Sequence, residues 1–139
     1  MVIDTILSKV EIQDLTVLHC RAIDQGNVDE YLATWVSGGE LVIDGRSLRG
    51  HAALCDYLDT LSSSEQGSLR RLVSNFSIKV QTIGQATQRC YLLIYPLLTT
   101  EPSSLLVCND QLVRENDGWK FKQRVVQSCS QQRKRKKAS

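Results

Sequence analysis

The sequence predicts an α+β domain, a cone-shaped, curved antiparallel sheet of four long and two short strands with three helices packed on its concave side. Three observations lead there. Apolar residues recur at helical spacing in the first half of the chain, and from Leu69 the period changes to two. Paired capping signals and glycines also cut the first half into short helices and short strands. At 139 residues with 42% hydrophobic and 23% charged residues, the chain suits one soluble domain with a core of its own.

The first helix is expected from Ser8, where Ser8 and Glu11 form a capping box. Ile12, Leu15, Leu18, His19, Ala22 and Ile23 make its apolar stripe, and Gly26 supplies a left-handed stop. Asn27 with Glu30 caps a second helix, in which Val28, Tyr31, Leu32 and Trp35 fall at i, i+3, i+4 and i+7. Gly38 and Gly39 are expected to end that unit. Residues 40–44 and 46–49 then read as two short strands about Gly45, and Gly50 opens a third helix with Leu54, Tyr57, Leu58 and Leu61 on one face. Residues 62–68 read as a polar loop.

Four long strands follow. In the first, Leu72, Ser74, Phe76, Ile78 and Val80 alternate with Arg71, Val73, Asn75 and Ser77. Residues 87–96, 105–115 and 119–128 are the others, the last two joined at Asn116-Asp117-Gly118. The domain is expected to span 1–130. Residues 131–139 form a polar, basic tail expected to be disordered.

Charge narrows the function classes. Residues 133–137 hold five of the 17 Lys and Arg; the other 12 face 15 acidic residues, so the body carries −3. A nucleic-acid-binding domain needs positive charge on its folded surface, which leaves only weak binding through the tail. The longest apolar run, 91–98, is too short to span a membrane and contains Pro96. The N-terminus has no basic start followed by an apolar run, so a cytoplasmic location is expected. Cys20, Cys55, Cys90, Cys108 and Cys129 are dispersed without a CxxC, and with only two His they predict no metal site.

Four segments in this order resemble the nuclear transport factor 2 fold: RAIDQGNVDEYLATW, LVIDGRSLRGHAAL, RRLVSNFSIKV and RENDGWKFKQRVV. Within that superfamily the chain is most similar to the SnoaL-like group, near scytalone dehydratase and the small subunits of ring-hydroxylating dioxygenases. The resemblance implies a ligand pocket in the open end of the cone. It also implies cofactor-free isomerisation, dehydration or cyclisation of an apolar carbonyl compound in the catalytic members. There an Asp at the first helical turn works with histidines on the long strands. Asp24 matches that Asp, but Arg71 stands where relatives have the first His, and Cys90 is the nearest inward candidate for the second.

Asp24 is thus the candidate base, His19 a secondary acid or orienter, and Arg71 an oxyanion partner, since a guanidinium cannot act as a base near neutral pH. The alternatives are a helix-end carboxylate for Asp24, a boundary histidine for His19, and for Arg71 an ion pair with Asp24 or Asp44 that closes the site. Arg70 replaces Arg71 at the cavity if the register slips by one. Tyr31, Trp35, Asn75, Cys90 and Cys108 are candidate pocket walls, with ordinary core packing as the competing role. Arg124 is expected to pair with Asp110 or Glu115, and His51 to face solvent. The ligand this implies is mainly apolar with one polar or anionic group. Strands such as RCYLLIY are apolar on both faces, which implies a homodimer through the sheet. The competing function is a non-catalytic binding or assembly domain that has lost the acid/base set.

Overall fold

The computed structural model describes residues 2–129. The elements are α1 (Val2–Gln25), α2 (Val28–Ala33), β1 (Trp35–Ile43), β2 (Arg46–Arg49), α3 (His51–Glu65), β3 (Leu69–Thr82), β4 (Gln85–Pro96), β5 (Ser104–Glu115) and β6 (Gly118–Ser128). One six-stranded sheet has the order β2-β1-β6-β5-β4-β3. Only the β1–β6 pair is parallel. The helices lie over the concave face, as the α+β reading requires. The basic tail expected for 131–139 lies outside the described residues.

Helix α1 begins six residues before the expected cap. Ser8 is buried inside it, on a line with Ile12, Thr16, His19, Cys20 and Ala22. A serine followed three residues later by Glu is compatible with a helix interior as well as a start, and residues 2–7 offer no breaker to stop the helix earlier. The opposite face of α1 is apolar too, with Ile3, Ile6, Leu7 and Val10 exposed. Gly26 ends the helix at φ +66°, and the Asn27 N–H donates to Ala22 O at 2.9 Å. Asn27 then caps α2, its Oδ1 accepting from the Glu30 N–H at 3.2 Å.

Trp35 is not helical. Thr34 closes α2 by donating its hydroxyl to Tyr31 O at 2.6 Å, and Trp35 opens β1 opposite Phe121 of β6. Gly38 and Gly39 therefore lie inside β1, at a register shift between Trp35 and Glu40. A Cβ on Gly39 would stand 2.6 Å from the Trp35 ring, so only glycine lets the strand cross the indole there. With this extension β1 has nine residues, leaving β2 as the one short strand. Asp44 and Gly45, both at positive φ, make the two-residue turn between them. Helix α3 runs to Glu65, through part of the stretch expected to be loop, and stops at left-handed Gln66.

A bulge resolves the ambiguous register of β3. Arg71 pairs with Ile94 and Val73 with Leu92 on the inner face; the register then shifts between Ser74 and Ser77. Asn75 sits in the bulge at φ +56°, and beyond it Phe76, Ile78 and Val80 take over the inner face. Neither expected alternation therefore holds along the whole strand.

Candidate functional site

The shift in β3 settles which arginine enters the cone. Arg70 points outward and donates to Gly67 O and Leu69 O, both at 2.9 Å. Arg71 points inward and meets two carboxylates. Its Nη1 donates to Asp24 Oδ1 at 2.8 Å and its backbone N–H to Asp24 Oδ2 at 3.0 Å. Its Nη1 and Nη2 also donate to Glu65 Oε1 and Oε2, at 3.1 and 2.6 Å. The side chains of Arg71, Asp24 and Glu65 are 5%, 11% and 14% exposed. Burial works against the guanidinium charge, but Glu65 and Asp24 outweigh it and raise the Arg71 pKa above its ordinary value. Asp44 takes no part in this pairing.

Arg71 is a partition. On one side lies an open groove of about 710 Å³ between α1 and the start of β3, bordered by Val17, Arg21, Asp24, Arg70, Leu72 and Val73. On the other is the cone interior, reduced to a cavity of about 50 Å³ walled in part by His19, Tyr31, Tyr57, Leu61, Ile94 and Arg124. Arg71 and Cys20 border both. The cavity has room for a few waters, whereas ligand clefts usually run from about 300 to 1,000 Å³. The interior expected to receive a ligand is therefore nearly filled, and the larger open space is the groove.

His19 is locked. The Thr34 proton is spent on Tyr31 O, so the 2.8 Å contact between His19 Nδ1 and Thr34 Oγ1 makes Nδ1 the donor. Burial, then the charges of Arg124 and Arg71, hold its pKa well below 6.5. Tyr31 and Phe121 pack on the ring with centroids 5.1 and 4.8 Å away. A neutral imidazole held this way cannot donate a catalytic proton near pH 7. The Tyr31 hydroxyl and the neighbouring Trp35 indole N–H are both buried without a well-formed hydrogen bond. Burial raises the Tyr31 pKa.

The remaining candidate walls divide. Tyr31 lines the cavity; Trp35 does not and belongs to the core. Asn75 is exposed on the bulge and lines neither space. Cys90 and Cys108 are buried, face each other across β4 and β5, and line neither space. Cys20, which does border both spaces, has its thiol pushed up to about 11 by burial, so it is no nucleophile. His51 is half-buried rather than solvent-facing, its Nε2 3.4 Å from Trp35 O.

Two residues matter more than the sequence suggested. Glu65 fell in the expected loop, although it lies four residues beyond Leu61 on the same helical stripe. Arg124 pairs with Asp110, Nε to Oδ1 at 3.1 Å, and its guanidinium lies 4.9 Å from the Phe121 ring centroid. Gln88 Nε2 donates to Asp110 Oδ2 at 2.9 Å and to Thr16 Oγ1 at 3.0 Å. Burial pushes the Asp110 carboxyl up, and Arg124 and Gln88 oppose it. A register shift near Gln111 hid the inward position of Arg124, because it breaks the alternation after Phe121.

Among the described residues no three His, Cys, Asp or Glu side chains are grouped to hold a metal, and no helix is long and apolar enough to cross a membrane. As it stands, Arg71 is held by two carboxylates, and the arrangement is an ion-pair cluster beside the groove. Each Asp24 oxygen accepts one hydrogen bond from Arg71.

A single curved sheet with helices on its concave face is the nuclear transport factor 2-like cone fold. The sequence pattern of the SnoaL-like domain matches residues 4–125, and the chain belongs to that family. No curated protein matches the sequence. Among solved structures, the chain is similar to a protein of unknown function with a cystatin-like fold from Nostoc punctiforme PCC 73102. That match has 24% identity and a TM-score of 0.81, covering 88% of this chain and 91% of the other. An NTF2-like protein from Novosphingobium aromaticivorans shows 19% identity and a TM-score of 0.82 over 90% and 84% of the two chains. The hexachlorocyclohexane dehydrochlorinase LinA-type3 from Novosphingobium barchaimii LL02 shows 16% identity and a TM-score of 0.78 over 93% and 91%. At these identities the likeness shows the fold alone.

Proposed function

We propose that this SnoaL-like protein binds a mainly apolar small molecule through one anionic or polar group at Arg71, and does not turn it over. One observation carries this reading: both oxygens of Asp24 are engaged by Arg71, one by its side chain and one by its backbone N–H. A family base must be free to take a proton from carbon. Here the position that the family resemblance gives to histidine holds a permanent cation instead, and that cation has captured the Asp. The groove supplies the volume that the cone interior lacks, with exposed apolar wall at Val17 and Leu72. Elimination, the chemistry named for the dehydrochlorinase relative, would require Asp24 to leave Arg71. The free thiols of all five cysteines accord with a reducing, cytoplasmic setting.

Native mass spectrometry of the purified protein should show a non-covalent adduct. In D₂O the protein should not accelerate deuterium uptake at the α-carbon of an enolisable ketone such as cyclohexanone. Acceleration that disappears in Asp24→Asn would overturn the non-catalytic reading.

A second, compatible reading concerns assembly. Leu72, Leu93 and Leu105 stand directly opposite one another across β3, β4 and β5 on the outer face, beside exposed Tyr91 and Tyr95. This apolar row supports a homodimer through the sheet. Gel filtration at micromolar concentration should give the dimer, and Leu93→Lys should convert it to monomer; a wild-type monomer sinks this reading.

A further inference from the structure

We propose that Glu65 is an intramolecular stand-in for the ligand's own carboxylate, and that the groove takes an aliphatic or aryl monocarboxylate whose head displaces Glu65 from Arg71. The inference rests on the ligand-binding reading above and adds the ligand class and the device that controls access.

The two carboxylates on Arg71 are not equivalent. Asp24 is fixed twice, because it also accepts the Arg71 backbone N–H, and it stands near the end of α1 on the sheet side. Glu65 is fixed only through the guanidinium. It is the last residue of α3, followed by left-handed Gln66 and then by Gly67 at φ +73°. Turning it away needs only side-chain rotation at a helix end, and its carboxylate regains water. Its two oxygens sit on Nη1 and Nη2 as a fork, the geometry in which arginine takes any carboxylate. A ligand carboxylate in that place leaves the Asp24 contacts intact and conserves the charge around Arg71.

The surroundings select the rest of the ligand. Arg21 and Arg70 border the groove and add positive charge near its mouth. Val17 and Leu72, 42% and 54% exposed, offer apolar wall to a tail. The inner cavity of about 50 Å³ cannot take such a tail, so it lies in the groove. A tethered carboxylate competes at an effective concentration in the millimolar range or above, which weakens the affinity for a free one.

Isothermal titration at pH 7 with octanoate and with 1-octanol, its uncharged counterpart, tests this. Glu65→Gln should tighten octanoate binding at least tenfold and leave 1-octanol unchanged. Glu65→Ser should do the same, which guards against an effect peculiar to glutamine. Arg71→Lys, which keeps the charge but loses the fork, should abolish the preference for octanoate. Equal affinity for the two probes, or no gain for octanoate in either Glu65 variant, overturns the proposal while the ligand-binding reading stands. Absence of binding of both probes to wild type and to both Glu65 variants overturns the two together.

Discussion

Two arginines point into this cone, and they are held in opposite ways. Arg124 is paired within one layer: Asp110 lies on the adjacent strand, Gln88 is one strand further, and Phe121 covers the guanidinium. Its side chain is 3% exposed and that of Asp110 is fully buried. Arg71 is paired between layers, with one partner at the end of α1 and the other at the end of α3. The sheet fixes the first pair by strand register, and the cavity beside Arg124 is only about 50 Å³. Helix ends fix the second, and one of them can release its carboxylate without disturbing the sheet. A buried ion pair inside a sheet is architecture; the same chemistry at a junction of elements can be a binding site.

The sharpest way to break this comparison is to remove each cation. Arg124→Met should be the more damaging, leaving the Asp110 carboxylate buried and unpaired at about 3–5 kcal/mol, read from urea unfolding. Arg124→Met combined with Asp110→Leu should recover much of that loss. Arg71→Met should cost less, about 1–3 kcal/mol, because its carboxylates are partly in contact with water. Equal losses at the two sites would show that the rim pair is as locked as the inner one.

The pH dependence of stability probes the ground between them, since His19 feels both charges. Its folded pKa lies well below 6.5, so below pH 6.5 the unfolded chain binds a proton that the folded chain does not. Stability from this residue is complete above pH 6.5 and falls as pH drops, by up to about 1.4 kcal/mol per pH unit until the folded pKa is reached. Unfolding free energies at pH 7, 6 and 5 should show this slope in wild type, and His19→Gln should flatten it. The smallest expected effect on stability is that of Glu65→Gln, within about 1 kcal/mol. A loss as large as that for Arg71→Met would mean Glu65 is structural rather than displaceable.

Much of the fold was legible because its signals are local and periodic. Asn27 and Glu30 cap α2, Asp44-Gly45 turns the first hairpin, and the change of period at Leu69 marks the sheet. Errors arose where tertiary pairing overrides spacing. Trp35 keeps perfect helical spacing with Tyr31, yet pairing with Phe121 draws it into β1. Asn75 shares parity with Arg71 until a bulge reverses the strand; the Arg124–Asp110 pair was one of the two expected, and a second shift in β6 brings it to the inner face. For the site, the family resemblance set Arg71 where relatives carry a histidine, and the residues offered its pairing with Asp24 as one outcome. Glu65 was missed because the polar run at 62–68 read as loop, although Glu65 continues the Leu54, Leu58, Leu61 stripe to the end of α3. That the cone interior is nearly full was equally illegible, since it depends on how Tyr57, Leu61 and Ile94 pack together.

What Asp24 does when a ligand is present decides between binding and catalysis, and a crystal structure of the octanoate complex measures that. The carboxylate should lie on Nη1 and Nη2 of Arg71 with Glu65 turned to solvent, and Asp24 should remain within about 3 Å of the Arg71 guanidinium and backbone N–H. Asp24 released from Arg71 and facing the ligand would contradict the account and return the site to acid–base chemistry.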